Sequence, residues 1–178
     1  PVRALVFDDG LKAVDLPVPK RDRGQALIRV NLAGICNTDV EVTRGYLAYR
    51  GIMGHEFVGM VEDADDAGLI GKRVVGEINI SCGECEMCRS GNPRHCERLK
   101  DMGINGWQGC FADYVVLPER NLHIVPDSVT DRQAVFVEPL AAGLEVLEQV
   151  HVRPDDTVAV IGDGKLGLLT AQAMHACG

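Results

Sequence analysis

The chain has 178 residues, 46% hydrophobic and 25% charged, an ordinary globular composition with room for one complete core and part of a second. Eighteen Lys and Arg against 26 Asp and Glu leave a net charge of −8, which argues against a nucleic-acid-binding surface because backbone phosphates would be repelled. No apolar run reaches the ~18 residues of a membrane helix, and the apolar start Ala4-Leu5-Val6-Phe7 meets Asp8 and Asp9 too soon for an export signal, so the chain reads as soluble and cytoplasmic.

To about residue 125 the predicted elements are short alternating strands broken by Gly, Pro and Asp. Ala26, Ile28 and Val30 alternate with Leu27, Arg29 and Asn31, and Val74, Gly76, Ile78 and Ile80 alternate with Arg73, Val75, Glu77 and Asn79. Segments 111–117 and 121–125 read as further strands. Several short strands at this spacing predict a strongly bent β-barrel. The character changes near residue 127: a helical stretch follows Pro126-Asp127-Ser128, pauses at Pro139 and resumes with Leu140, Leu144, Leu147 and Val150 on one face. Residues 157–161, Thr-Val-Ala-Val-Ile, predict an apolar strand, and a second helix runs to Ala176.

Seven cysteines, an odd number without an export signal, speak against a disulfide framework. Four of them form the run Cys82-Gly83-Glu84-Cys85-Glu86-Met87-Cys88, closed by Cys96. CxxC steps let a tight turn offer two thiolates to one ion, and four thiolates close a Zn²⁺ tetrahedron. Gly83, Gly91, Asn92 and Pro93 supply the turns. Paired disulfides and an iron–sulfur cluster are the alternatives, and structural zinc is the preferred reading. Cys110 and Cys177 read as small buried hydrophobes, while His95, His123, His151 and His175 fit no ligand pattern.

Between the predicted strand and the last helix lies Gly162-Asp163-Gly164-Lys165-Leu166-Gly167. Strand, GxGxxG and helix form a dinucleotide-binding arrangement: one glycine for the turn, one for close approach of a diphosphate, one for helix packing. A merely glycine-rich turn is the plainer alternative. Gly162, Gly164, Leu166 and Gly167 are the candidate coenzyme-binding residues. The acid that distinguishes NAD from NADP is expected about 20 residues on, past the residues in hand. A dinucleotide domain needs several parallel strands, so the sequence is expected to be the front portion of a chain roughly twice as long. Alone it should bind zinc but neither hold NAD(H) tightly nor turn over an alcohol.

These pieces, in this order, resemble the zinc-dependent medium-chain dehydrogenase/reductase family of alcohol, polyol and L-threonine dehydrogenases. Gly34-Ile35-Cys36-Asn37-Thr38-Asp39 is similar to that family's Gly-Ile-Cys-x-Ser/Thr-Asp element, and Gly54-His55-Glu56-Phe57-Val58-Gly59 to its Gly-His-Glu-x-x-Gly element. The four-cysteine run resembles its structural-zinc lobe, and Gly109-Cys110-Phe111-Ala112-Asp113-Tyr114 its Gly-x-x-Ala-Glu-Tyr strand. The resemblance implies a mixed β and α/β fold: a GroES-like β-barrel catalytic domain over residues 1–140, then, over 141–178, a connecting helix and the start of a Rossmann doubly wound parallel sheet.

It also implies a second, catalytic zinc on Cys36, His55 and Glu138, with Glu56 as a rival ligand. A carboxylate at position 138 also suits a helix start, which is its plainer reading, and Pro139 should hold Glu138 out of α geometry. Thr38 resembles the hydroxyl that passes the substrate proton outward, with Glu56 the second catalytic candidate. Glu41 stands where many relatives place the histidine that ends this relay, so the relay ends in a carboxylate or in water, or does not run as in relatives. The implied activity is hydride transfer from a secondary alcohol, polyol or hydroxy-amino acid to NAD or NADP, with two zinc ions per chain and a homo-oligomer, dimer or tetramer, at full length. The alternatives are an inactive zinc-stabilised GroES-like binding module and a zinc-free quinone reductase relative. Metal content separates them at two, one and no zinc respectively.

Overall fold

A computed structural model describes residues 1–153 and 155–177. Strand β1 (Val2–Phe7) pairs antiparallel with β2 (Leu11–Leu16) and, at its far end, with β4 (Gly51–Ile52). The larger sheet is antiparallel throughout, in the order β10 (Tyr114–Pro118), β3 (Gln25–Gly34), β5 (Glu56–Asp63), β6 (Arg73–Gly76), β11 (Leu122–Ile124). An Ala4–Ala112 bridge and the Leu5 N–H to Phe111 carbonyl bond join the two sheets, so they curl toward a half-barrel. The register of β3 on β5 shifts twice, beside Ile28 and beside Leu32. Such bulges sharpen the local bend.

Alternation explains why β5 belongs in the centre. Phe57 and Val61 enter one core with Ala26, Ile28, Val74, Met102, Val115 and Leu117. Val58, between them, points the other way into a second cluster with Val75, Val125, Ala134 and Val135. Both faces of β5 are therefore covered. Helix α1 (Asn37–Thr43) contributes Val42 to a third cluster with Tyr49 and Met53. The excursion from β7 (Asn79–Ile80) through helix α2 (Glu86–Arg89) returns along β8 (Lys100–Met102) and the parallel β9 (Gly106–Trp107).

Three details differ from the sequence reading. The alternating run 73–80 is two strands, because β6 stays on β5 and β11 while β7 leaves to pair with β8. The helical pause falls before Pro139. Helix α3 (Asp131–Ala134) ends there, and α4 (Val137–Gln149) begins with Glu138 and Pro139 in its first turn. Proline costs nothing there, since first-turn N–H groups have no intrahelical partner, so Glu138 is helical after all. Residues 157–161 form no strand: a strand needs a ladder partner, none lies beside them among the described residues, and Ile161 is fully exposed. Helix α5 (Lys165–Cys177) follows and packs on α4, where Gly143 meets the backbone of Thr170.

Candidate metal and coenzyme sites

Cys36 is the N-cap of α1, a place where its backbone N–H needs an acceptor. Asp39 provides one, with Oδ2 accepting that N–H at 2.9 Å. The other oxygen of the same carboxylate faces Nδ1 of His55 at 3.4 Å, with both side chains buried. Neither of these two atoms has a hydrogen-bond partner. One buried aspartate thus braces the residues at both motifs, a role that sequence reasoning left unassigned although Asp39 stood in the quoted motif. A buried carboxylate three residues into a helix cap was the available signal.

His55 and Glu56 are delivered by a tight passage. Gly54 has φ +90°, and a side chain there would strike the Phe111 ring. Glu56 opens β5 directly opposite Gly34 of β3, and a Cβ at residue 34 would collide with the Glu56 carboxylate. Both glycines are therefore required by the site's shape. The result is that one ligand atom each from Cys36, His55 and Glu56 lies within 4.8 Å of the others. Thr38 joins this group, its Oγ1 accepting from the Cys36 thiol at 3.6 Å. Glu138 stands outside the trio, half-buried on α4, yet near enough that its charge acts on His55. Glu41 is engaged elsewhere, in an ion pair with Arg44 at 2.9 Å.

The electrostatics fit a divalent cation. Burial pushes the Glu56 and Glu138 carboxyls up, each with the other acids of the pocket adding to it. Burial alone would lower the His55 imidazole, but Asp39 and Cys36 hold it up at about 10. The Cys36 thiol is lowered, chiefly by its hydrogen bond with His55. Cys36 and His55 are a soft sulfur and a nitrogen sharing a proton that a metal would replace. With Nδ1 turned to Asp39, Nε2 is the nitrogen left to give a lone pair. These residues suit zinc.

The cysteine lobe passes the same test more simply. Cys82 and Cys88 sulfurs are 3.9 Å apart, Cys85 and Cys88 3.4 Å, Cys85 and Cys96 3.9 Å. Sulfurs about 2.3 Å from one Zn²⁺ sit about 3.8 Å apart in a tetrahedron, whereas a disulfide needs about 2.05 Å. Backbone N–H groups of Cys85 and Glu84 donate to Cys82 Sγ, and the Glu84 contact leads in lowering that thiol to about 6. Cys88 is pushed up to about 11 by burial and by its neighbouring sulfurs. Four close sulfurs cannot all ionise without a cation between them. Arg94 ties the lobe to Glu145 of α4 at 2.8 Å. A cavity of about 330 Å³ lies there, its largely apolar wall, with Val75, Ile78 and Val137, carrying the charged Arg94, Glu138 and Glu145.

At the glycine loop, Gly162 has φ +121°, the space around Gly164 is open, and a Cβ on Gly167 would strike the Gly162 carbonyl. Lys165, the first residue of α5, reaches the carbonyl of Ile35 at 3.5 Å, so the loop lies beside the Cys36 segment. Leu166 is exposed next to it. Cys110 is buried as expected, but Cys177 is exposed at the end of α5, where nothing covers that face among the described residues. The four remaining histidines are all exposed.

The comparisons agree with this architecture. Residues 22–127 match the alcohol dehydrogenase GroES-like domain, and the chain belongs to that family. Its relatives and structural neighbours place it in the medium-chain dehydrogenase/reductase family. It is 34% identical over 168 residues to a sorbitol dehydrogenase of Halalkalibacterium halodurans, covering 91% of this chain and 49% of that one. An L-threonine 3-dehydrogenase of Legionella pneumophila is 31% identical over 180 residues, covering 96% and 52%. Among solved structures, the RspB alcohol dehydrogenase of Escherichia coli CFT073, complexed with NADH, superposes with a TM-score of 0.91 at 30% identity, over 97% of this chain and 52% of that one. The chain spans about half the length of the curated relatives it matches.

Proposed function

We propose that the protein is a zinc-dependent oxidoreductase that transfers hydride from a secondary alcohol, polyol or hydroxy-amino acid to NAD or NADP. The observation that carries this reading is the convergence of Cys36, His55 and Glu56 within 4.8 Å, from a helix cap, a loop and a strand. The names of the sorbitol and threonine relatives, and the NADH held by RspB, support the substrate range and the coenzyme.

Cys36 and His55 would hold the catalytic ion together with Glu138, Glu56 being the nearer rival for the third place. A zinc ion there supplies a Lewis acid that lowers the pKa of a bound alcohol hydroxyl. Asp39, facing His55 Nδ1 at 3.4 Å, would hold its tautomer, and Thr38, beside Cys36, would take the substrate hydroxyl proton and pass it outward. Gly164 leaves room for a coenzyme diphosphate at the N-terminus of α5, and the Lys165–Ile35 contact sets that loop against the metal segment. The cavity beside Glu138, mostly apolar with a few charged groups, would receive a substrate. Cys82, Cys85, Cys88 and Cys96 would hold a structural zinc.

Metal analysis of the purified protein tests the reading. About two zinc ions per chain are expected, with Cys36→Ser retaining the lobe ion alone. One zinc or none in the parent refutes it, the first outcome pointing to a zinc-stabilised binding module and the second to a metal-free quinone reductase relative.

A further inference from the structure

The four-cysteine lobe has an entrance at Cys82 and an exit at Cys96, and one residue touches both ends. The backbone N–H of Arg98 donates to Cys96 Sγ at 3.3 Å. Its guanidinium turns back to the entrance, where Nη2 donates to Cys82 Sγ at 3.4 Å and pairs with Glu84 Oε1 at 2.8 Å. We propose that Arg98 is a positioning residue for the lobe's metal, a clamp that joins the first and last sulfur ligands and carries part of their negative charge. This rests on the reading of the lobe as a zinc site.

The chemistry favours arginine over any other side chain at this place. Four thiolates around one Zn²⁺ leave a net charge of −2, and a fixed donor cation on one sulfur offsets part of it. Both hydrogens of one guanidinium nitrogen are used, one on sulfur and one on the Glu84 carboxylate that aims it. A lysine would bring the charge as a strongly hydrated point on a flexible stem, where the guanidinium is rigid, planar and more weakly hydrated. Cys82 is also the less sheltered end of the lobe, half-buried where Cys85 and Cys96 are buried. An ion leaving the lobe would be released first at that end. Outer groups that orient a ligand typically change metal affinity by about 10–100-fold.

The experiment uses the zinc-loaded protein carrying C36S, so that the lobe holds the one metal being followed. With excess chromogenic chelator, R98Q should lose zinc about tenfold faster than the parent, and R98K should recover part of the difference. In the cobalt-substituted lobe, R98Q should shift the thiolate-to-metal absorption to longer wavelength, because a sulfur relieved of a hydrogen bond gives up electron density more readily. A purely structural loss would leave that band in place. Release rates within twofold, with an unshifted band, overturn the proposal. The guanidinium is more than half exposed, so R98Q should fold. Should it not, E84Q removes the carboxylate that aims the arginine, and an unchanged rate there overturns the clamp equally. A parent that holds no zinc on its four cysteines instead refutes the lobe reading, before any change at residue 98.

Discussion

Replacing Asp39 by Asn tests whether one buried carboxylate organises the Cys36–His55 centre. Asn keeps the shape, so the core is not disturbed. Its orientation is dictated: the Cys36 N–H, 2.9 Å from Oδ2, must still find an acceptor, and only the amide oxygen can serve. The amide NH₂ then faces Nδ1 of His55, which in the parent is 3.4 Å from the carboxylate. A donor facing Nδ1 forces that nitrogen to accept, and the imidazole proton moves to Nε2, the lone pair wanted by a metal. Metal affinity at this centre should fall about 10–100-fold, about 1.4–2.7 kcal/mol at about 1.36 kcal/mol per tenfold. The cost to the fold is smaller, on the order of 1 kcal/mol, since one charge-assisted hydrogen bond becomes a neutral one. Zinc competition titrations read the two sites in one experiment, with the cysteine lobe as internal standard. An unchanged affinity at the Cys36 centre refutes the reasoning, as does an equal loss at both sites, which would mean general loosening.

Glu138→Ala should lower zinc occupancy at the Cys36 centre and leave the lobe full by metal analysis; if it leaves occupancy at the parental level and Glu56→Ala lowers it, Glu56 is the third ligand. Gly34→Ala places a methyl group where the Glu56 carboxylate lies, so it should weaken metal binding at that centre more than it lowers the urea midpoint of the chelated protein. In chelator, stability should depend on pH through His55. Its folded pKa of about 10 lies above the ordinary 6.5, so the stabilisation is complete below pH 6.5 and is lost progressively as pH rises toward 10. Because the lowered Cys36 thiol acts in the opposite sense below pH 9, the fall is read in the chelated Cys36→Ser variant, whose urea midpoint should be lower at pH 9.5 than at pH 6; equal midpoints contradict the assignment.

Much of the barrel is legible in the sequence because one physical rule dominates there. Alternating positions such as Ala26 and Ile28 are buried on one face, and a two-residue period is easily read. The misread places each turn on a partner that periodicity does not encode. Residues 73–80 alternate continuously, yet the ladder changes hands between Gly76 and Asn79. Residues 157–161 carry strand-forming side chains but have no neighbour to pair with among the described residues. Cys177 is apolar enough for a core and lies on an uncovered helix face. The cysteine lobe was the easiest feature to read, since its ligands lie close in sequence and the geometry is set by local turns. The Asp39 brace and the Arg98 contact were hidden because each depends on a side chain meeting a residue placed by the fold.

The Cys36 centre shows how closely function here depends on strand register. Gly34 and Glu56 are direct partners in the β3–β5 ladder, and this pairing is what brings the α1 cap to the start of β5. A slip of one residue would turn Glu56 to the opposite face and bring Phe57 to the metal pocket. That slip would also drive Phe57 and Val61 out of one core and Val58 out of the other. Both faces are covered, so the slip exchanges residues between two packed cores; at about 1–3 kcal/mol for each misfit, three would remove a large part of a small domain's stability of about 5–15 kcal/mol. The apolar residues of β5 therefore hold the ligands in place although none of them touches the pocket chemistry. In the other direction, a metal bound by Cys36 and His55 would join α1 to the Gly54 passage that opens β5, and so stabilise the same register that creates its site.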